Sequence, residues 1–463
     1  MTNTQDTFQK AFELNMDKDT YGTLAEIGAG QETSRWFFKV GGAAGTIAKT
    51  MSAYDMKVSD SIYGDAKRYV SRERLNSMLS REYDLLIERL QDQRGENCTF
   101  FSFANTVTTY SFTTRRPGHG WLGIRFQANP REEPSQIDVH VSLKGDSAAE
   151  DQDTLGVLGV NLIHAACFKV GDVEALLDSL MDSLSTNHLE LDMIDFLGPA
   201  FEGVDNRLMA LHLVKRGYTS AAMFRSDGKL VQPADVLYKR SVLVERSRFR
   251  PPTRLNMNML DKALTALCDD KIACEDVVVI SEMTLENLMA GDDISTEDFL
   301  ERVDVLCSLG KNVMVSNFGE FYRLAQYLFK LTSRPVAITM GVPTLRKIFE
   351  EKFYEHLDGG ILEAIGRMFR NDMRLYVCPE IGPDGRLITV NELEVDAHLT
   401  HLYQHLMLNG YIHSLDSIEY RDLEIQADKV LQSIREGDES WKEHVPPEVV
   451  ALINDRGMFR AGT

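Results

Sequence analysis

The sequence predicts an α/β protein: a helical N-terminal region with a small antiparallel meander, then an open, mostly parallel sheet with helices on both faces and a helical C-terminal tail. Three observations carry this. After residue 270 the short β-rich runs DVVVIS, KNVMVS, RPVAITM and MRLYVC alternate with the helical patterns TEDFLERVDVLCSLG, FGEFYRLAQYLFKL and PTLRKIFEEKFYEHL. Strand, helix, strand repetition requires parallel crossovers and a sheet covered on both faces. Near 98–144 the runs CTFFSFANTVTTYSF, HGWLGIRFQ and QIDVHVSLK are separated only by the turn-formers PGHG and ANPREEPS, the pattern of a local meander. Before them, residues 5–97 read as helical, with apolar side chains recurring at Leu75, Met78, Leu79, Leu85, Leu86 and Leu90, and Gly95 as a stop.

The remaining elements follow in order. The segment GGAAGTIAKTMSA reads as a small-residue helix packed tightly against a neighbour, and GDSAAEDQD (145–153) as an exposed acidic loop. A small-residue apolar stretch, LGVLGVNLIHAACF, leads to the helix VEALLDSLMDSL and the strands LELDMIDF, SAAMF and VLVE. Pro251 and Pro252 break regular structure and mark a domain boundary, giving lobes 1–250 and 251–463. The helix VDAHLTHLYQHLMLNG and a tail containing Pro446 and Pro447 close the chain.

At 463 residues two or more cores are expected. Fifty basic against seventy acidic residues give a formal charge of −20, which disfavours nucleic acid and anionic membranes as partners. No run of about 18 apolar residues offers a membrane span, and MTNTQDTFQKAFELNMDKD has no secretory or transit character, so a soluble cytoplasmic protein is expected. The six cysteines are scattered without a CxxC pair, which reads as reduced, buried thiols and no structural zinc.

Candidate chemistry is distributed. In the segment 26–56, glycines at 28, 30, 41, 42 and 45 allow close backbone approach, with Glu32 and Arg35 as ligand contacts. Its spacing fits neither a P-loop nor a dinucleotide fingerprint, and no strand is evident before it. Arg246 and Arg250 belong to an Arg-rich stretch, 239–254, able to clamp a phosphate or carboxylate. Ligands of open parallel sheets sit beyond the strands' carboxyl ends, which singles out Glu282 and Thr284, Ser316 and Asn317, Thr339 and Gly341, and Glu380, with Glu282, Asn317 and Glu380 lining the crevice; helix capping is the alternative role for Asn317. His119, between two glycines, could be presented as an acid or base. His398, His401 and His405 share a helix face; the last two have i, i+4 metal-ligand spacing but no accompanying HExxH glutamate. Asp205, Asn206 and Arg207 fit a helix start or a polar recognition cluster.

At EIGAGQETSRWFFKVGGAAGTIAKTMSAYDM, GHGWLGIRFQ, LGVNLIHAACF and GPAFEGVDNRLMALHLV the chain resembles a widespread bacterial family of about this length, over most of its extent. Members of that family carry conflicting labels, among them nicotinamide or nicotinate nucleotide adenylyltransferase and TonB-dependent receptor. A receptor of that kind needs a signal peptide and many amphipathic barrel strands, which this sequence lacks. An adenylyltransferase carries HxGH after its first strand, and the only related string here is Gly118, His119, Gly120. The sequence thus supports two functions: an enzyme or sensor binding a small anionic metabolite such as a nucleotide at the edge of the C-terminal sheet, or a non-catalytic homo-oligomeric scaffold. It specifies no cofactor.

Overall fold

A computed structural model describes residues 6–28, 30–111, 117–269, 272–290, 293–415 and 417–460. The chain divides into two compact units, Met1–Thr219 and Ser220–Thr463. The Pro251–Pro252 stretch therefore lies inside the second unit, as a strand-to-helix turn.

The first unit is built on a six-stranded mixed sheet. Its strands are β1 (Thr20–Gly28), β2 (Ile47–Ala53), β3 (Thr99–Thr108), β4 (His119–Phe126), β5 (Ser135–Leu143) and β6 (Leu189–Leu197), in the order β2-β1-β3-β4-β5-β6. β1 runs parallel to both β2 and β3, and β3 to β6 form an antiparallel meander. The helices are α1 (Thr7–Met16), α2 (Glu32–Val40), α3 (Met56–Tyr63), α4 (Arg72–Arg94), α5 (Ala148–Phe168), α6 (Val173–Ser179) and α7 (Asn206–Lys215). α4 covers one sheet face through β1, β3 and β4. Leu14, Phe37, Leu158 and Leu162 of α1, α2 and α5 join Phe103, Leu122, Ile137 and Val139 in the core on the other.

Three expectations are corrected in this unit. Residues 5–97 are not all helical, because β1 and β2 lie among them and a strand does precede the glycine run. β1 is enclosed by sheet neighbours and covered on both faces, so it shows no apolar/polar alternation. Its Gly22 is required by packing: a Cβ there would lie 2.3 Å from the Phe101 ring. The small-residue segment 41–53 is a turn followed by β2 rather than a helix; Gly41 and Gly42 take φ of 81° and 80°. The acidic loop is cut short at Ser147, whose side chain accepts from the Glu150 amide and starts α5 at Ala148.

The second unit holds an eight-stranded sheet. Its strands are β7 (Ala221–Phe224), β8 (Leu230–Val231), β9 (Ser241–Arg246), β10 (Val277–Thr284), β11 (Asn312–Ser316), β12 (Val336–Gly341), β13 (Met373–Cys378) and β14 (Ile412–Ser414). The order is β14-β13-β12-β9-β10-β11-β7-β8, with the first six parallel and β7 and β8 antiparallel at the edge. From β9 the chain winds outward through β10 and β11, then returns to the other side of β9 and winds through β12, β13 and β14. This is the doubly wound arrangement, and its order reverses between β9 and β12.

Helix α8 (Arg254–Asp269) lies on one face, packing Met259, Leu260, Ala263 and Leu267 onto Leu243, Ala337 and Tyr376. The chain continues through α9 (Thr296–Ser308), α10 (Phe321–Leu331), α11 (Val342–Ile348), α12 (Gly360–Met368) and α13 (Thr400–Leu408). Of these, α10 to α13 bury Leu324, Leu345, Ile365 and Leu406 with Val242, Val244, Ile338 and Leu375 of the opposite face. The tail helices α14 (Ala427–Glu436) and α15 (Pro447–Arg456) share a core with Val305 of α9.

Cys268 and Cys274 form a disulfide, correcting the expectation of reduced thiols throughout. The two Cα atoms lie 5.4 Å apart. Of the free cysteines only Cys378 is fully buried. Among the described residues, no helix is long and apolar enough to cross a membrane.

Candidate functional site

The carboxyl ends of the parallel strands in the second unit carry a cluster of buried polar side chains around the order reversal. At the end of β9, Arg246 makes a two-pronged bond to Glu282 of β10, Nε to Oε2 at 2.9 Å and Nη2 to Oε1 at 3.1 Å. Ser316 of β11 donates to the same carboxylate at 2.6 Å, and Arg246 also donates to the Gly319 carbonyl and lies over the Phe321 ring. Glu282 is wholly buried, so this pair is a hydrogen-bonded ion pair locking three strand ends together.

One level lower, on the α8 face, the register aligns five polar side chains across five strands. They are His413, Tyr376, Thr339, Glu245 and Ser281, each opposite the next. Glu245, Thr339, Ser281 and Tyr376 are buried, and the Tyr376 and His413 rings stack at 5.2 Å. Asn256, in the first turn of α8, donates to Glu245 Oε1 at 2.5 Å. Glu245 Oε2, Thr339 Oγ1, Ser281 Oγ and His413 Nε2 are all buried without a hydrogen-bond partner. Folded cores pair the great majority of such atoms, so each of these four calls for a partner. Burial pushes the Glu245 carboxyl up to about 8, against the Asn256 hydrogen bond and the more distant Lys311 charge, so it is mostly protonated at neutral pH.

Between β9 and α8 the turn 247–253 is rich in arginine. Arg248 is exposed and reaches Asp428 only at 3.6 Å. Arg250 and Arg302 share the Asp298 carboxylate, two guanidiniums on one acid. The start of α8 is closed by neutral groups: Thr253 and Asn256 cap each other, and the Arg254 amide donates to the His444 carbonyl. An anion at this edge therefore has guanidiniums available to it rather than helix amides.

The other predicted residues are dispersed. Asn317 is exposed just past β11, its amide donating to the Ser220 carbonyl. Glu380, past β13, is paired with Arg346 of α11. Glu32 and Arg35 pair with each other along α2 at 2.9 Å, with Arg35 pointing to solvent. His401 and His405 are exposed and bonded to Gln404 and Asn409, while His398 meets Glu351. No group of three potential metal ligands forms among the described residues. Asp205 caps α7 and is held below the usual carboxylate range by the Arg207 side chain and amide, which outweigh its partial burial.

The glycine turn between β1 and α2 is filled from within. Glu26 of β1 is buried and accepts from the Thr33 and Ser34 amides of α2, both at 3.2 Å, and from Asn105 at 3.1 Å. Burial raises its carboxyl despite these donors. Its own side chain occupies the position at the helix start where a bound anion would sit.

His119 opens β4, half-buried, with its Nδ1 3.3 Å from Nε2 of His140 on β5. His140 Nδ1 in turn lies 2.5 Å from Asp192 of β6. Sequence reasoning singled out His119 and Thr339 but missed His140 and Asp192, as it missed Glu245, Asn256 and Ser281. An acid inside the apolar strand SVLVER was the available signal for Glu245; for Asp192 it was the broken alternation of LELDMIDFL.

No family model and no curated protein matches the chain. Among solved structures, the chain is similar to a competence/damage-inducible protein from Agrobacterium tumefaciens at 14% identity, over 35% of this chain and 93% of that one, with a TM-score of 0.25. It is also similar to nicotinic acid mononucleotide adenylyltransferase of Plasmodium falciparum at 9% identity, over 48% and 97%, with a TM-score of 0.30. A putative nicotinate-nucleotide adenylyltransferase from Vibrio parahaemolyticus gives 11% identity over 48% and 97%, with a TM-score of 0.21. These likenesses are too slight to carry a function. The first of the parallel strands in this sheet is β9, and the residues entering α8 after it are Thr253, Arg254, Leu255 and Asn256, with no histidine among them.

Proposed function

We propose that the second unit binds a small anionic metabolite of the nucleotide class beyond the carboxyl ends of β9 and β12. The observation that carries this reading is the reversal of strand order between those strands, where open α/β sheets form their ligand crevice. Two features refine it. Arg248, weakly paired and exposed, with Arg250 behind it sharing its acid with Arg302, supplies local positive charge in a chain of net −20. The Ser281, Glu245 and Thr339 row gives the crevice a polar, mostly uncharged floor suited to hydroxyl or amide groups. The Arg246 and Glu282 pair braces the crevice, since both charges already satisfy each other.

The test is isothermal calorimetry against mono- and dinucleotides, sugar phosphates and dicarboxylates, repeated with Arg248→Ala. Binding of one phosphate-bearing class, weakened at least tenfold in the variant, is expected. No binding across the panel, or binding indifferent to Arg248, would count against the reading.

A further inference from the structure

Four strands form the edges of the two main sheets, and three of them are short or closed. β8 and β14 are only two and three residues long. β6 is longer, but its outer side is engaged: the Leu191 amide donates to the Tyr218 carbonyl, and the Asn206 side chain both accepts from the Phe196 amide and donates to its carbonyl. β2 is the exception. It runs for seven residues, and among the described residues its ladder is with β1 alone.

A long edge strand presents a row of unused amides and carbonyls, which folded proteins ordinarily shorten, cover or guard with charge. β2 is not short, and Thr50 and Ser52 are exposed. Its one charged side chain, Lys49, is paired with Glu82 of α4, which also accepts from Tyr63, rather than standing guard at the edge. We propose that this edge is an interface between two copies of the chain, β2 pairing antiparallel with the β2 of a second copy about a two-fold axis at Thr50.

The register follows from symmetry. A two-fold axis at a sheet edge makes the two edge strands antiparallel and puts the same surface on both sides. With the axis at the midpoint of Ile47–Ala53, Thr50 faces Thr50, Ala48 faces Ser52, Lys49 faces Met51 and Ile47 faces Ala53. Threonine pairs are favourable across strands, and no two charges are directly opposed, although each chain carries −20 overall. Moving the axis to Lys49 would oppose two ammonium groups, and moving it to Met51 would shorten the ladder.

The ends of the strand extend the surface. Tyr54, Met56 and Val58, directly after β2, are 81%, 60% and 49% exposed. In this register Tyr54 comes to Thr46 of the other copy, beside Gly45, where an added Cβ would meet nothing within 4 Å. The glycine turn ahead of β2 thus leaves room for the second copy's Tyr54. These side chains add apolar area that a two-strand contact needs to approach the ~800 Å² each partner of a stable interface buries.

Sedimentation velocity on the full-length chain tests the proposal. A dimer is expected at ~100 μM. Thr50→Lys, which opposes two ammonium groups at the axis, should raise its dissociation constant about fivefold with circular dichroism unchanged. Cross-linking under mild oxidation reads the register independently. Directly opposed Cα atoms of an antiparallel pair lie about 4.5–5.5 Å apart, within disulfide reach, so Thr50→Cys should give a covalent dimer joined through position 50 in non-reducing peptide maps. Ser52→Cys, about 13 Å along the strands from its own counterpart, should not. A wild-type chain that stays monomeric at that concentration, a dimer indifferent to Thr50→Lys, or equal cross-linking of the two cysteine variants would overturn the proposal.

Discussion

The two units each contain a parallel strand that turns into a helix at the place where α/β proteins hold ligands, and they treat that turn in opposite ways. After β1 the start of α2 is closed by Glu26, a buried carboxyl from the preceding strand, which accepts from the Thr33 and Ser34 amides. After β9 the start of α8 is closed by the neutral Thr253 and Asn256, with arginines on the turn and the mostly protonated Glu245 beneath. The first arrangement places its own acid where an anion would go; the second leaves charge of the opposite sign exposed. A glycine-rich turn before a helix is therefore weak evidence of a ligand until the occupant of the helix start is known.

The comparison can be broken most forcefully at the brace of the second unit. Glu282→Ala leaves the Arg246 guanidinium buried without its carboxylate and should cost about 3–5 kcal/mol, read as a lower urea midpoint. The corresponding change in the first unit, Glu26→Ala, strands two amides and an asparagine; about 2–3 kcal/mol is expected in the same assay.

Glu245 gives the comparison a pH signature. Its folded value, about 8, lies above the unfolded one, about 4.3, so the folded state binds the proton more tightly. Its contribution is greatest below the unfolded value and is lost as pH rises toward and through 8, with a slope of at most about 1.4 kcal/mol per pH unit. Glu245→Gln should flatten that slope in urea titrations between pH 5 and 8, taken in steps of about one unit. The smallest effect is expected from Thr253→Ala, about 1 kcal/mol from the loss of a helix cap.

Much of the second unit was legible in its sequence because parallel strands buried on both faces read as apolar runs, as DVVVIS and RPVAITM do, between amphipathic helices. β1 and β2 were missed for the converse reason: TYGTLAEIG and IAKTMSA owe their strand state to neighbours such as Phe101, not to local periodicity. The pairing of Arg246 with Glu282 lay among the residues singled out from the sequence, whereas the row from His413 to Ser281 is a property of register across five strands. The disulfide joins cysteines six residues apart, a spacing that does not by itself encode a pairing.

The most direct test of the contrast between the two turns is hydrogen exchange on the full chain with and without the tightest ligand of the calorimetric panel. At about 100 times its dissociation constant a ligand adds about 2.7 kcal/mol to the state it binds. The account predicts new protection confined to residues 247–258 and the neighbouring strand ends, with residues 30–36 unchanged. Protection at residues 30–36 with none at 247–258 would contradict it.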